Sequence, residues 1–280
     1  MNPPNINRHL NIAFYQQDIC WNDRQANFDR VRERLAGLPS EMDVVVLPET
    51  FSCGFGDNMV DMAEEQEGPS LEFAREMARM HDALFVATWP VRVGERVYNR
   101  LHWVRPDGTF GTYDKGHTFR VSGEADIIAR GTERCVFGWR GWRIKPAVCY
   151  DLRFPKWLRN ELVDESLKRS SIQEIGQSDS CVLSYDLMIV CANWPGSRHE
   201  AWSTLLRARA IENLAYVVGV NRVGTDGADI GYTGNSAAVD YKGLPMAECE
   251  AGKEQLLTAR LEMEPLERFR RRWPFYLDFD

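Results

Sequence analysis

Apolar residues along this chain fall into two alternating regimes: short continuous runs, and stretches in which they return every third or fourth position. The runs read as strands buried on both faces, and the periodic stretches as helices with one apolar side. Residues 10–15 (Leu-Asn-Ile-Ala-Phe-Tyr) are the first expected strand. Asn22 to Ala36 carries Phe28, Val31 and Leu35 at helical spacing, with Gly37 as its stop. Val44 to Leu47 is the next strand, Pro69 to His81 the second helix and Leu84 to Thr88 the third strand. Val97–Val104 and Thr109–Tyr113 flank Arg105-Pro106-Asp107-Gly108, a turn by composition, and so read as a hairpin. The second half repeats the theme. It offers strands over Arg143 to Cys149, Leu187 to Ala192 and Tyr216 to Asn221, with helices over Leu152 to Leu162 and Glu200 to Asn213. Ala237–Asp240, Met246–Glu248 and Leu256–Leu261 read as closing strands. This alternation predicts an α/β architecture with helices outside the sheets. No linker separates the halves, so the chain reads as one domain over 1–280. A polar stretch at 161–184 breaks the rhythm and reads as a surface loop or, more specifically, a lid over a cleft.

Composition narrows the class. With 280 residues, 44% hydrophobic and 27% charged, the chain can bury a core large enough to fold without staples. A net charge of −7 argues against a nucleic-acid partner. No apolar run approaches the ~20 residues that would span a bilayer. The start, Met-Asn-Pro-Pro-Asn-Ile-Asn-Arg, lacks the apolar core of a signal peptide, so a cytoplasmic protein is expected. The seven cysteines are odd in number and widely spaced, with no Cys-x-x-Cys, which disfavours a disulfide scaffold or a structural zinc site.

Three segments carry candidate chemistry. Pro146-Ala147-Val148 ends in Cys149 and turns at once into Tyr-Asp-Leu-Arg-Phe-Pro, which places a thiol at a strand end. Val44-Val45-Val46-Leu47-Pro48 delivers Glu49, and Tyr113-Asp114 delivers Lys115, in the same manner. A thiol, a carboxylate and an ammonium are the parts of acyl transfer through a thioester. Cys149 would be the nucleophile, Glu49 the base, and Lys115 the cation that meets the oxyanion and favours thiolate. The Tyr150 backbone N–H, beside the nucleophile at a helix start, is a natural second oxyanion donor. Each residue alone would more commonly be surface or core; the combination is what signifies. His117 is close to Lys115 in the same turn and reads as structural rather than as a partner for Cys149. No paired histidines or Gly-rich phosphate loop suggest a metal or nucleotide cofactor.

Leu-Pro-Glu-Thr-Phe, Tyr-Asp-Lys-Gly-His-Thr-Phe and Val-Cys-Tyr-Asp-Leu-Arg-Phe-Pro resemble, in order, the three signature segments of the nitrilase superfamily of carbon–nitrogen hydrolases. Ala192-Asn193-Trp194-Pro195 and Arg207-Ala-Arg-Ala-Ile-Glu-Asn213 extend the resemblance over essentially the whole chain. Thr118 departs from the commoner His-Leu-Phe wording, and the 161–184 stretch is longer than relatives carry there. The wording is most similar to the omega-amidase branch, whose members hydrolyse the terminal amide of 2-oxoglutaramate and 2-oxosuccinamate. The resemblance implies a four-layer αββα sandwich, a Glu-Lys-Cys triad of Glu49, Lys115 and Cys149, no metal or organic cofactor, and a homodimer or higher homo-oligomer. It also implies a second glutamate past the lysine motif, for which Glu124 is the candidate. Arg153 corresponds to the arginine that binds the 2-oxo carboxylate in that branch, a task suited to a planar guanidinium. Phe119 and Trp194 are expected to wall the pocket.

The expected activity is therefore cofactor-free hydrolysis of a small 2-oxo dicarboxylic acid monoamide, releasing ammonia. The alternatives with the same chemistry are an N-carbamoyl amino acid hydrolase, an aliphatic amidase or a nitrilase. An alternative of another class is a catalytically idle binding protein.

Overall fold

The computed structural model describes residues 8–163 and 183–279, so the polar stretch at 161–184 lies almost entirely outside the described residues. In chain order the first half comprises β1 (His9–Gln16), α1 (Arg24–Leu35), β2 (Val44–Val46), α2 (Pro69–His81), β3 (Leu84–Val93), β4 (Arg96–Val104), β5 (Phe110–Asp114) and α3 (Glu124–Ile127). The second half comprises β6 (Phe137–Trp139), β7 (Trp142–Val148), α4 (Pro155–Leu158), β8 (Leu187–Ala192), α5 (His199–Asn213), β9 (Tyr216–Asn221), β10 (Val223–Thr225), β11 (Gly231–Thr233), β12 (Ala237–Val239), β13 (Pro245–Glu248), β14 (Gln255–Glu262) and α6 (Met263–Arg272).

The strands form two six-stranded sheets, ordered β14-β1-β2-β3-β4-β5 and β13-β12-β9-β8-β7-β6. Each has a parallel centre, β1-β2-β3 in one and β7-β8-β9 in the other, with antiparallel strands at its flanks. The continuous apolar runs are these central strands: every side chain of β2, β8 and β9 is buried. Alternation sorts their faces. Ile12, Val44, Val46 and Val86 of the first sheet share one core with Ile144, Ile189, Cys191 and Val218 of the second. The opposite face of the first sheet, with Tyr15, Val45 and Phe85, packs under α1 and α2, where Phe28 stacks on Phe73 at 4.2 Å. The second sheet is covered by α5, and a Cβ on Gly219 would stand 2.5 Å from Leu206, so glycine is what lets the helix settle there. The result is the αββα sandwich the sequence suggests.

Local signals explain the helix boundaries. Asp23 caps α1 by accepting from Ala26 N at 2.9 Å, worth about 1 kcal/mol, and Pro69 opens α2 as a first-turn proline. The expected helix over Leu152 to Leu162 is not continuous. Pro155 has no N–H to donate, and Phe154 before it is held outside the helical region (φ −111°, ψ 88°), so Cys149–Arg153 forms a 3-10 turn and α4 ends at Leu158. Among the described residues no helix is long and apolar enough to cross a membrane.

Candidate active site

Glu49, Cys149 and Asn193 follow the carboxyl ends of β2, β7 and β8, where clefts form in parallel sheets. The two sheets meet here through backbone: Glu49 N donates to Ala192 O at 3.4 Å. Lys115 enters from the side, one residue past β5, and its N donates to Asn99 O on β4 at 3.0 Å. Gly116 lets this turn lie against Trp157, because a Cβ there would stand 2.5 Å from the indole.

The Cys149 turn is tied to the Lys115 turn by one carboxylate. Asp151 accepts from Tyr113 Oη at 2.7 Å and Val148 N at 3.1 Å, and its second oxygen lies 2.9 Å from His117 Nδ1. His117 also stacks on Phe154 at 3.7 Å. It is a structural residue, as its place in the sequence suggests. From the far side, Arg209 of α5 donates to Leu152 O at 2.7 and 3.0 Å. This gives the Arg-Ala-Arg-Ala segment a role as a brace for the Cys149 turn. The bracing holds strain: Cys149 has φ +42° and Thr50 φ +46°, left-handed conformations that each cost about 1–3 kcal/mol outside glycine.

Four side chains converge at the base of the cleft. Lys115 Nζ donates to Glu49 Oε1 at 2.8 Å and to both oxygens of Glu124, at 3.0 and 2.9 Å. Glu49, Lys115 and Glu124 are all buried. Glu49 Oε2 accepts from Asn193 N at 2.8 Å, and Asn193 Nδ2 donates to Glu49 O at 2.5 Å. Phe119 N donates to Glu124 Oε2 at 2.5 Å. Cys149 is 8% exposed, and its Sγ lies 3.8 Å from Asn193 O. Cys149 thus lines the cleft, whereas Glu49 and Lys115 are fully buried.

Charge and burial set the protonation states. Burial would weaken the Lys115 ammonium, but Glu124 and Glu49 reverse that and raise its pKa above the ordinary lysine value, so it is a fixed cation. Burial raises the Glu124 pKa, Lys115 opposing and the charge of Glu49 adding to it. Burial also holds the Cys149 thiol well above the usual range, with the negative charge of Glu49 adding and Lys115 opposing. The Lys115 charge does act toward thiolate, as the sequence suggests, but it is outweighed. Burial and the charges of Glu49 and Glu124 prevail, so the Cys149 thiol is held up rather than poised as thiolate.

Cys149 opens into a cavity of about 440 Å³. Tyr150, Arg153, Phe119 and Trp194 all line it, so the sequence-derived pocket residues share one space with Cys149. The Arg153 guanidinium lies 4.9 Å over the Trp194 ring. Sequence reasoning missed Arg198, which faces the same cavity 5.2 Å over the Phe119 ring; its only signal was its place shortly after Asn193-Trp194-Pro195. It also missed Asn193 and Asn99, the polar neighbours of Glu49. Of the carboxylates on the wall, Asp226 is committed to Ala228 N, Ile230 N and Tyr232 Oη.

Residues 11–271 match the carbon-nitrogen hydrolase family. The chain is 41% identical to the omega-amidase YafV of Yersinia enterocolitica, with 97% of each chain covered. It is 26% identical to the 2-oxoglutaramate amidase of Bacillus subtilis strain 168, covering 95% of this chain and 96% of that one. Its fold superimposes on XC1258 of Xanthomonas campestris, a CN-hydrolase superfamily protein solved with an arsenic adduct in its active site, with TM-score 0.89, 40% identity and 97% of each chain covered. A shared sheet order alone would leave the chemistry open. Full-length likeness joined to this cleft does not, and the chain belongs to the carbon–nitrogen hydrolases of the nitrilase superfamily, as an amidase acting on bonds other than peptide bonds.

Proposed function

We propose that the protein is an omega-amidase that hydrolyses the terminal amide of a small 2-oxo dicarboxylic acid monoamide through a Cys149 thioester. The observation that carries this reading is the convergence of Cys149, Glu49 and Lys115 at the base of a cavity whose wall presents Arg153. The names of the YafV and 2-oxoglutaramate amidase relatives support the substrate class.

The cycle follows from the protonation states. Glu49 takes the thiol proton as sulfur attacks the amide carbon, so no standing thiolate is required. The carbonyl electrons move onto oxygen, where the Lys115 ammonium and the Tyr150 N–H meet them. Glu49 passes its proton to the amide nitrogen, the carbon–nitrogen bond breaks, and ammonia leaves a thioester. Water then attacks that thioester and gives a proton to Glu49. As the tetrahedral adduct collapses, the acid departs and the proton returns to sulfur. Glu124 keeps Lys115 aimed, and Arg153 holds the substrate carboxylate at the far end of the pocket, with Phe119 and Trp194 as walls.

The test is ammonia release from 2-oxoglutaramate, 2-oxosuccinamate, glutamine, an aliphatic amide, a nitrile and an N-carbamoyl amino acid. The expected result is a preference for the two 2-oxo acids, abolished by Cys149→Ala. Preference for the carbamoyl compound, with carbon dioxide among the products, would replace this substrate assignment. Activity surviving Cys149→Ala would remove the mechanism, and absence of activity on every compound would favour an idle binding protein.

A further inference from the structure

Asn99 is the one neutral side chain that touches both buried carboxylates among the described residues. It lies on β4 in register with Leu101 and Trp103, which face the space between the sheets, and it is fully buried. Its Nδ2 donates to Glu49 Oε1 at 2.7 Å and reaches Glu124 Oε1 at 3.5 Å. Lys115 Nζ donates to the same two oxygens at 2.8 and 3.0 Å. Two donors therefore share two acceptors in a closed ring. The amide must present nitrogen to this ring, because its oxygen would meet two carboxylates that can only accept. Its Oδ1 consequently points away and has no hydrogen-bond partner among the described residues. A buried polar atom left in that state signals that the other end of the amide has the more important task.

The lone pairs of Glu49 indicate the task. An ionised carboxylate offers about four acceptor positions. Lys115 and Asn99 occupy those of Oε1, and Asn193 N takes one on Oε2, which leaves the remaining position on Oε2 for a transferred proton. Lys115 must also direct an N–H at the oxyanion, which loosens its hold on the carboxylates at the moment their alignment matters most. We infer that Asn99 is a positioning residue that fixes Glu49 Oε2 as the proton acceptor and bridges Glu49 to Glu124 while Lys115 turns to the substrate. This rests on the Glu-Lys-Cys mechanism proposed above.

Asn99→Leu removes the donor at nearly constant volume, and Asn99→Asp replaces it with a group that donates only when protonated. Each is compared with the parent enzyme by kcat, KM and the pH profile of kcat, normalised to active sites counted by stoichiometric alkylation of Cys149. Asn99→Leu should lower kcat on the order of tenfold to a hundredfold, with KM changed less than about threefold. Its pH profile should differ from the parent's, because one donor to the carboxylate that takes the proton is gone. Asn99→Asp should be poor at neutral pH and recover relative to Asn99→Leu as the pH falls and the new carboxyl regains a donating proton. A purely structural role would lower the active fraction and the unfolding midpoint but leave the profile of surviving sites unmoved. Folded Asn99→Leu with parental kcat and profile would overturn the inference. Should that variant fail to fold, a constant ratio of Asn99→Asp to parental activity across pH would do the same. Cys149→Ala serves as the separate control: if it retains activity the mechanism itself has failed, whereas if it is dead the Asn99 result stands alone.

Discussion

Replacing Glu124 by Gln preserves the shape of the side chain and removes its charge. Both Glu124 oxygens act only as acceptors here: Oε1 faces Lys115 Nζ and Asn99 Nδ2, and Oε2 faces Lys115 Nζ and Phe119 N. Whichever oxygen becomes an NH₂ therefore meets donors on every side. One charge-assisted bond to Lys115, worth about 1.5–3 kcal/mol, is lost, and a buried donor is left unpaired at a further cost of about 1–3 kcal/mol. Relaxation will recover part of this, so a net loss of roughly 2–4 kcal/mol in transition-state stabilisation is expected. That corresponds to a fall in kcat on the order of thirtyfold to a thousandfold. The assay is steady-state ammonia release per alkylatable Cys149, with KM followed in parallel. KM should change little, because Glu124 does not reach the substrate pocket. A carboxylate that merely decorated a loop would cost less than twofold, and Glu124→Gln with a kcat within about threefold of the parent would refute the positioning of Lys115 by Glu124.

Other outcomes follow from the same contacts. Arg153→Met should raise KM for 2-oxo acid monoamides about tenfold to a hundredfold, by loss of a charge-assisted contact, and leave an uncharged aliphatic amide unaffected; equal losses on both would contradict the carboxylate clamp. Because burial and Glu49 raise the Cys149 thiol, the ultraviolet difference between the parent and Cys149→Ser should contain no thiolate signal at neutral pH and gain one only above pH 9; a neutral-pH thiolate signal would contradict the resting state described here. His102, buried and stacked on Trp89 at 3.7 Å, is held well below the usual histidine range by burial, with Arg100 adding. Below about pH 6.5 the unfolded chain binds a proton there that the folded protein refuses, so stability should fall by up to about 1.4 kcal/mol per pH unit from this residue as pH drops. His102→Phe should flatten that slope in denaturant titrations, and parallel slopes would count against the assignment.

Much of this was legible in the linear sequence for identifiable reasons. Val44–Val46, Leu187–Ala192 and Tyr216–Asn221 are apolar without interruption, and only a strand covered on both faces can use such a run. Pro69 and the apolar spacing behind it marked α2 to the residue. The reading failed at Leu152 to Leu162, where apolar spacing suggested a helix and Pro155 had already broken it. It also passed over α6, whose Arg-rich segment hides buried Met263, Leu266 and Arg270. At the site, Glu49, Lys115 and Cys149 were singled out because each ends a strand in a distinctive segment. Asn99 carried a weaker signal: a polar residue on the alternating positions of Val97 and Leu101, buried only because two carboxylates from distant segments meet it. How strongly the Cys149 thiol is raised was not legible, since that depends on burial and on charges brought together only by folding.

The most direct measurement is the mass of the Cys149-containing peptide from enzyme quenched in acid during the first turnovers of a 2-oxo acid monoamide. A mass increase equal to the acyl portion of the substrate, confined to that peptide and discharged as the acid product forms, is the expected result. A peptide that stays unmodified at every quench time while ammonia is released at the full rate would contradict covalent catalysis by Cys149.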